Sequence, residues 1–389
     1  MRMLLSICVL TYNRQNFLGQ LLESILQSQV LTGNQVELII LNNGSSDGTA
    51  EFLKKISNLG NIKVFHRAFN LRGSAAYKEL FSYAQGEWII SPGDDDVFIG
   101  ETLTELSTIL RKTNDQVSLV PLSALTIDSF GKATPIKFQP TDETNNIKLI
   151  ANLFFKSLYW FPSTCFRRRI LENVEFPVTT TVFDWWIWIQ GALQGEVRPV
   201  KKEVIKYRVH DLQEQRTYPE AFWALDHLDV FLRVLESRYF MDWIASLNNQ
   251  DVQLFLDEIV SKESRLDEVG LNLIWLKLGE LLKENNSASV EIVIEFLIRK
   301  GIDVRFVTQH FGVDLSARYL KLALLNMNKD LKWDLQIDDR DGLERELYGQ
   351  LLSKRNLEIS NSMTPAEKKV ITFYRKIRYW GLIRWLLGK

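Results

Sequence analysis

The sequence predicts an α/β domain followed by a mainly α-helical C-terminal part. Three observations lead there. Short apolar runs alternate with helix-periodic segments over residues 4–91, polar clusters recur where the apolar runs end, and long helical runs take over past residue 217. Strand, helix, strand, helix in that order implies right-handed crossovers and a parallel sheet covered on both faces.

The elements follow in order. "LLSICVLTY" (4–12) is a near-continuous apolar run, as a strand buried on both faces should be. "NFLGQLLESILQSQ" (16–29) has helical spacing, and "VELIILNNG" (36–44) is a second buried strand. A helix at 47–59, a short strand "IKVFHRA" (62–68), a helix at 73–85 and the strand "EWIIS" (87–91) complete the pattern. Gly44, Ser45, Asp47 and Gly48 suit a turn into a helix start. Further on, "AFWALDHLDVFLRVLESRYFMDWI" (221–244) and "SVEIVIEFLIRKG" (289–301) are helical, and Pro219 suits a helix start. The expected division is 1–216, 217–362 and a terminal helix at 363–389.

Lys plus Arg (47) nearly balances Asp plus Glu (48), so no global field favours nucleic acid and electrostatic arguments must be local. Cys8 and Cys165 sit in apolar segments and are too few for a disulfide framework or a zinc cluster; buried thiols in a reducing compartment are expected. The N-terminal run reads as a first strand instead of a signal peptide, and no window of about 18 uncharged apolar residues occurs. A cytoplasmic protein is expected.

Ligands of such sheets sit at the carboxyl ends of the strands. Thr11, Tyr12, Asn13 and Arg14 follow the first strand, Asn42 and Asn43 the second, and Asp94, Asp95 and Asp96 the run "EWIIS". Three adjacent carboxylates repel one another. In an extended chain Asp94 and Asp96 share one side and Asp95 the other, and two carboxylates on one side call for a cation such as Mg²⁺ or Mn²⁺. An acidic turn before a helix is the alternative.

Taken together, "VLTYNR", "LNNGSSDGT", "NLRGSAAYKELFSYAQGEW", "GDDDV" and "FDWWIWIQGALQGEVRPVKKEVIKYRVH" resemble glycosyltransferase family 2, over roughly residues 4–212. The resemblance implies the GT-A fold, a Rossmann-like mixed sheet, for residues 1–216. It implies that Thr11, Tyr12, Arg14, Asn42, Asn43, Arg72, Gly73, Asp94 and Asp95 meet a nucleotide sugar, and that Asp94, Asp96 and His210 contact a divalent metal. Asp184 matches the base that deprotonates the acceptor, and Trp185 and Trp186 would floor the acceptor sugar; Trp188 belongs to the core. Two departures stand out. Asn42 and Asn43 replace the family's aspartate, which leaves the nucleotide open. "GDDD" allows either Asp94 with Asp96 or Gly93 with Asp95 to form the Asp-x-Asp pair; alternation favours Asp96 as the metal ligand. The apolar neighbours of Asp184 should raise its pKa toward the range of a general base.

The implied activity is inverting transfer from a UDP-, dTDP-, GDP- or CDP-sugar to a saccharide or polyprenyl-linked saccharide, in bacterial surface polysaccharide assembly. In the tail, Val370, Phe373, Tyr374, Ile377 and Trp380 share one helix face, and Lys368, Lys369, Arg375, Lys376 and Arg378 occupy the rest. Such a helix suits an anionic bilayer, giving peripheral contact at the inner face of the cell membrane; packing on the preceding helices is the other reading. The rival from another class is an inactive GT-A-like scaffold, motivated by Asn42, Asn43 and the helical C-terminal part.

Overall fold

A computed structural model describes residues 2–57, 60–71, 73–172, 174–210, 220–260, 277–282, 290–299, 302, 304–312, 319, 320, 322 and 323. The chain divides into two compact units, Met1–Ser289 and Val290–Lys389.

The first unit opens with β1 (Leu5–Thr11), α1 (Gln15–Gln27), β2 (Val36–Asn42), α2 (Thr49–Ile56), β3 (Ile62–His66), α3 (Ser74–Ser82) and β4 (Trp88–Ile90), the order read from the sequence. These four strands are parallel in the order β3-β2-β1-β4, with Ile7 opposite both Leu38 and Ile90. Leu5, Ile7, Val9, Leu38 and Ile40 face α1, where Leu18, Leu21, Leu22 and Ile25 complete one apolar cluster. Each such side chain contributes roughly 1.5–3 kcal/mol by leaving water. Cys8 points to the opposite face of β1, and both it and Cys165 are buried free thiols.

Beyond β4 the pairing becomes mixed. β5 (Val97–Phe98), α4 (Thr102–Arg111), β6 (Val117–Ile127), β7 (Ala133–Phe138), α5 (Asn146–Leu153), β8 (Thr164–Arg167), α6 (Phe183–Gln194), β9 (Glu196–Val197) and β10 (Val200–Arg208) follow. The sheet continues β4-β8-β6-β10-β5, with β8 antiparallel to both neighbours, β10 parallel to β6 and antiparallel to β5. Because β5 directly follows the three acids, its pairing with β10 brings Arg208 and His210 to them.

The described part of this unit continues with α7 (Glu220–Leu235), α8 (Arg238–Ser246), α9 (Asn249–Val260) and a helical stretch at 277–282. The texture change near residue 217 marks a change of secondary structure, while the compact unit runs on to Ser289. The reason is packing. Phe154 after α5 meets Phe231 of α7 at 5.2 Å and Phe255 of α9 at 6.3 Å, and Trp185 of α6 meets Phe231 at 5.9 Å. In the second unit α10 (Val290–Arg299) packs on α11 (Val304–Phe311). The amphipathic segment 363–389 lies outside the described residues. Among the described residues, no helix is long and apolar enough to cross a membrane.

Candidate active site

The ends of β1 and β2 are laced together before any function is asked of them. After Thr11 the chain turns through Asn13 at φ 53, a left-handed conformation that asparagine tolerates. Its amide donates to Ser45 Oγ at 3.0 Å, and its Oδ1 accepts from the Ser46 amide at 2.7 Å. This turn leaves Tyr12 41% exposed. It also carries Arg14 across to the acids, where Nη1 donates to Asp94 Oδ1 at 3.0 Å and Asp95 Oδ2 at 2.7 Å.

Asn42 and Asn43 face inward. Asn42 Oδ1 accepts from the Ser45 amide at 3.1 Å, and its Nδ2 lies 3.2 Å from His66 Nδ1. Asn43 clasps the next loop: its Nδ2 donates to Asn70 Oδ1 (2.7 Å) and to the Leu71 carbonyl (2.9 Å), and its Oδ1 accepts from the Leu71 amide (3.0 Å). Gly44 completes the clasp at φ 79, where a Cβ would lie 2.5 Å from the Phe69 carbonyl carbon. Arg72 lies outside the described residues. Gly73 precedes α3, and the Ser74 amide that follows it donates to the Thr180 carbonyl at 3.3 Å. The Ser74 hydroxyl donates to the Pro177 carbonyl.

The acidic triplet forms a turn, not an extended strand. The Asp96 amide donates to the Gly93 carbonyl at 3.1 Å, so the alternation that favoured Asp96 as metal ligand does not apply. Asp96 is fully buried, and its two oxygens accept from the backbone amides of Gly93 (2.8 Å) and Arg208 (3.1 Å). It braces the turn. A Cβ on Gly93 would lie 2.6 Å from Asp95 Oδ1 and 3.0 Å from Asp96 Oδ2, so any side chain here would push the two carboxylates from their places. Asp95 instead faces His210, with Oδ2 2.8 Å from Nε2, and the imidazole stacks on Phe17 at 5.3 Å.

The charges explain what such a turn can hold. Burial pushes Asp94 up to about 6, against the pull of the Arg14 guanidinium and with the repulsion of Asp95. Burial, then the charge of Asp95, also raises Asp96 well above the ordinary carboxylate range. Surplus negative charge at one spot is what a cation relieves. Among the described residues, no three His, Cys, Asp or Glu side chains are arranged to hold a metal by themselves. Asp95 with His210 is a nitrogen–oxygen pair that fits Mn²⁺ or Mg²⁺ only if other oxygens, from water and phosphate, complete the shell.

Asp184 occupies the first turn of α6, half-buried. Burial pushes its carboxyl up to about 7, and the Trp185 amide, donating to Oδ1 at 3.0 Å, moderates the rise. The neighbouring Phe183 ring lies 4.5 Å from Tyr77 of α3. Trp185 and Trp186 do not floor a sugar. They are 5% and 1% exposed, Trp185 against His227 of α7 at 4.4 Å and Trp186 against Phe176 at 5.4 Å. Trp188 is core, as expected.

Two participants went unread in the sequence. Arg208 stands two positions before His210, and strand alternation sets both on one face, a signal that could have found it. Asp226 of α7 accepts from the Thr181 amide (2.7 Å) and hydroxyl (2.5 Å), anchoring the segment that leads to Asp184. No local pattern announces that contact.

Residues 6–174 match the family described as Glycosyl transferase family 2. The abequosyltransferase RfbV of Salmonella typhimurium is 33% identical over 115 residues, 29% of this chain and 34% of that protein. The poly(ribitol-phosphate) beta-N-acetylglucosaminyltransferase TarS of Staphylococcus aureus is 26% identical over 121 residues, 31% of this chain and 21% of that one. The matched stretches thus span about a third or less of those two proteins' lengths. The crystal structure of TarS 1–349 in complex with UDP-GlcNAc aligns with a TM-score of 0.53 at 16% identity, covering 83% of this chain and 91% of that one. A likeness at that identity shows the fold, a GT-A architecture with a mixed sheet.

Proposed function

Because residues 6–174 belong to glycosyl transferase family 2, we propose that the chain moves a sugar from a nucleoside-diphosphate donor to a hydroxyl of a saccharide acceptor, with inversion. One observation carries the reading: Arg14, Asp94, Asp95 and His210 converge at the strand ends, although they come from three separate parts of the sequence.

The roles follow from the groups. Asp95 and His210 would hold a divalent cation, which when bound supplies charge neutralisation for the departing diphosphate. Arg14, 26% exposed at its side chain, keeps Asp94 and Asp95 in place and sets a fixed positive charge beside the phosphates. Asp94 is the carboxylate left for the ribose or sugar. The exposed Tyr12 offers a flat face beside the nucleotide. Asp184 accepts the acceptor hydroxyl's proton as that oxygen attacks the anomeric carbon from the side opposite the leaving group. A carboxyl held near 7 suits this, since a base works best when its pKa is close to the working pH.

TarS is crystallised with UDP-GlcNAc, and RfbV is named for transfer of abequose; both names support surface polysaccharide assembly as the setting here. Asn42 and Asn43, which motivated a scaffold reading, brace loops through their side-chain amides, which supports a structural reason for asparagine at these positions.

The test is release of nucleoside diphosphate by the full chain from a panel of UDP-, GDP-, CDP- and dTDP-sugars, with Mn²⁺, Mg²⁺ or chelator, and Asp184→Asn as control. Metal-dependent release that Asp184→Asn loses is expected. No release from any donor, with no thermal shift by any of the four nucleotides plus Mn²⁺, overturns the reading.

A further inference from the structure

We infer that Arg208 is the positioning residue of the cation site: it sets the Asp95 turn and the His210 ring from beneath, and thereby tunes how tightly a divalent ion is held. The inference rests on the reading that Asp95 and His210 hold that ion.

Arg208 is 1% exposed, one of the largest fully buried side chains described. Burying a guanidinium is costly unless its donors are matched. Here Nε donates to the Asp95 carbonyl at 2.7 Å, Nη2 to Gln20 Oε1 at 2.7 Å, and Nη1 to the carbonyls of Asp128 (3.2 Å) and Ser129 (3.3 Å). All four acceptors are neutral oxygens. The Arg208 backbone amide also donates to Asp96 Oδ1 at 3.1 Å. One residue therefore holds the acidic turn twice, through the backbone of Asp95 and the side chain of Asp96.

The same residue governs His210. The guanidinium lies over the Phe17 ring at 5.0 Å, and the imidazole stacks on that ring at 5.3 Å with 21° between planes. Phe17 and Gln20, one turn apart on α1, thus form a pad on which the end of β10 rests. The planar fork of arginine reaches α1, the acidic turn and the turn at residues 128–129 together; lysine, with a single nitrogen, cannot. Partners lying behind metal-binding groups change metal affinity by roughly 10–100-fold when removed.

The experiment measures free Mn²⁺ by electron paramagnetic resonance against the full chain, with and without UDP, for wild type, Arg208→Lys and Gln20→Ala. Thermal melts without metal run alongside. Arg208→Lys should bind Mn²⁺ about 10–100-fold more weakly in the presence of UDP, and Gln20→Ala should shift in the same direction by less. Gln20→Ala also carries the test if Arg208→Lys does not fold. Unchanged Mn²⁺ affinity in a folded variant, even with a lower melting temperature, assigns Arg208 to stability alone and overturns the inference while leaving the cation reading standing. A wild-type chain that binds no Mn²⁺ alone or in the presence of any of UDP, GDP, CDP and dTDP overturns both.

Discussion

Asp184 sits in the protein with its carboxyl raised from the ordinary 3.8 to about 7 by burial, and two consequences of opposite kind follow. As a base it works only when deprotonated, so kcat/KM should fall about tenfold per pH unit below pH 7 and level off above it. Asp184→Asn should lower kcat by roughly 10²–10⁴-fold. The effect on stability runs the other way. A folded-state pKa above the unfolded one means the native state holds the proton more tightly. Its stabilising contribution is complete below the unfolded value near 4 and is lost as pH rises through about 7. Asparagine never ionises, so the melting temperature of Asp184→Asn relative to wild type should climb between pH 4 and pH 8. A constant difference would mean that the carboxyl is not raised. The raised carboxyl of Asp184 was legible, because its apolar sequence neighbours already pointed to burial. Trp185 and Trp186 were not, since α6 is buried nearly all round and no polar stripe tells a sugar-facing ring from a core ring.

At the scale of elements, α7 acts as a strap. Asp226 grips Thr181, Asp229 Oδ2 accepts from Thr179 Oγ1 at 3.3 Å, and Arg233 reaches Glu175 at 3.1 Å and Asp229 at 3.1 Å. On the other side the same segment meets Ser74 at the head of α3. The stretch before Asp184 is thereby held between two helices far apart in sequence. Asp226→Ala leaves the Thr181 amide without its acceptor and should cost about 1–3 kcal/mol in denaturant unfolding. It should lower kcat more than it raises the donor KM, because Thr181 is three residues from the base while the donor contacts lie on other strands. Equal effects on both would detach α7 from the base. The sequence marked these helices off near residue 217 because composition reports local periodicity; a contact such as Asp226 to Thr181 spans 45 positions and leaves no local trace.

At the scale of the molecule, every described residue assigned to the site lies within the unit Met1–Ser289. A protein comprising residues 1–289 should therefore be stabilised by nucleotide plus Mn²⁺ to the same extent as the full chain, an effect expected to be worth about 2.7 kcal/mol at a hundredfold excess over Kd. Its loss would place an unrecognised contribution in the second unit. β1, β2 and β4 were legible because strands covered on both faces read as nearly unbroken apolar runs. The mixed half was less so, since β5 and β9 have 2 residues each and β8 has 4, too few to display a period. That half nevertheless decides when the site comes into being. Asp95 and His210 stand 115 positions apart and meet only once β10 has docked between β6 and β5. An ion that needs both would ignore a partly built sheet and select the finished one, so its capture would be the last act of assembly and would draw the closing strand into place by mass action.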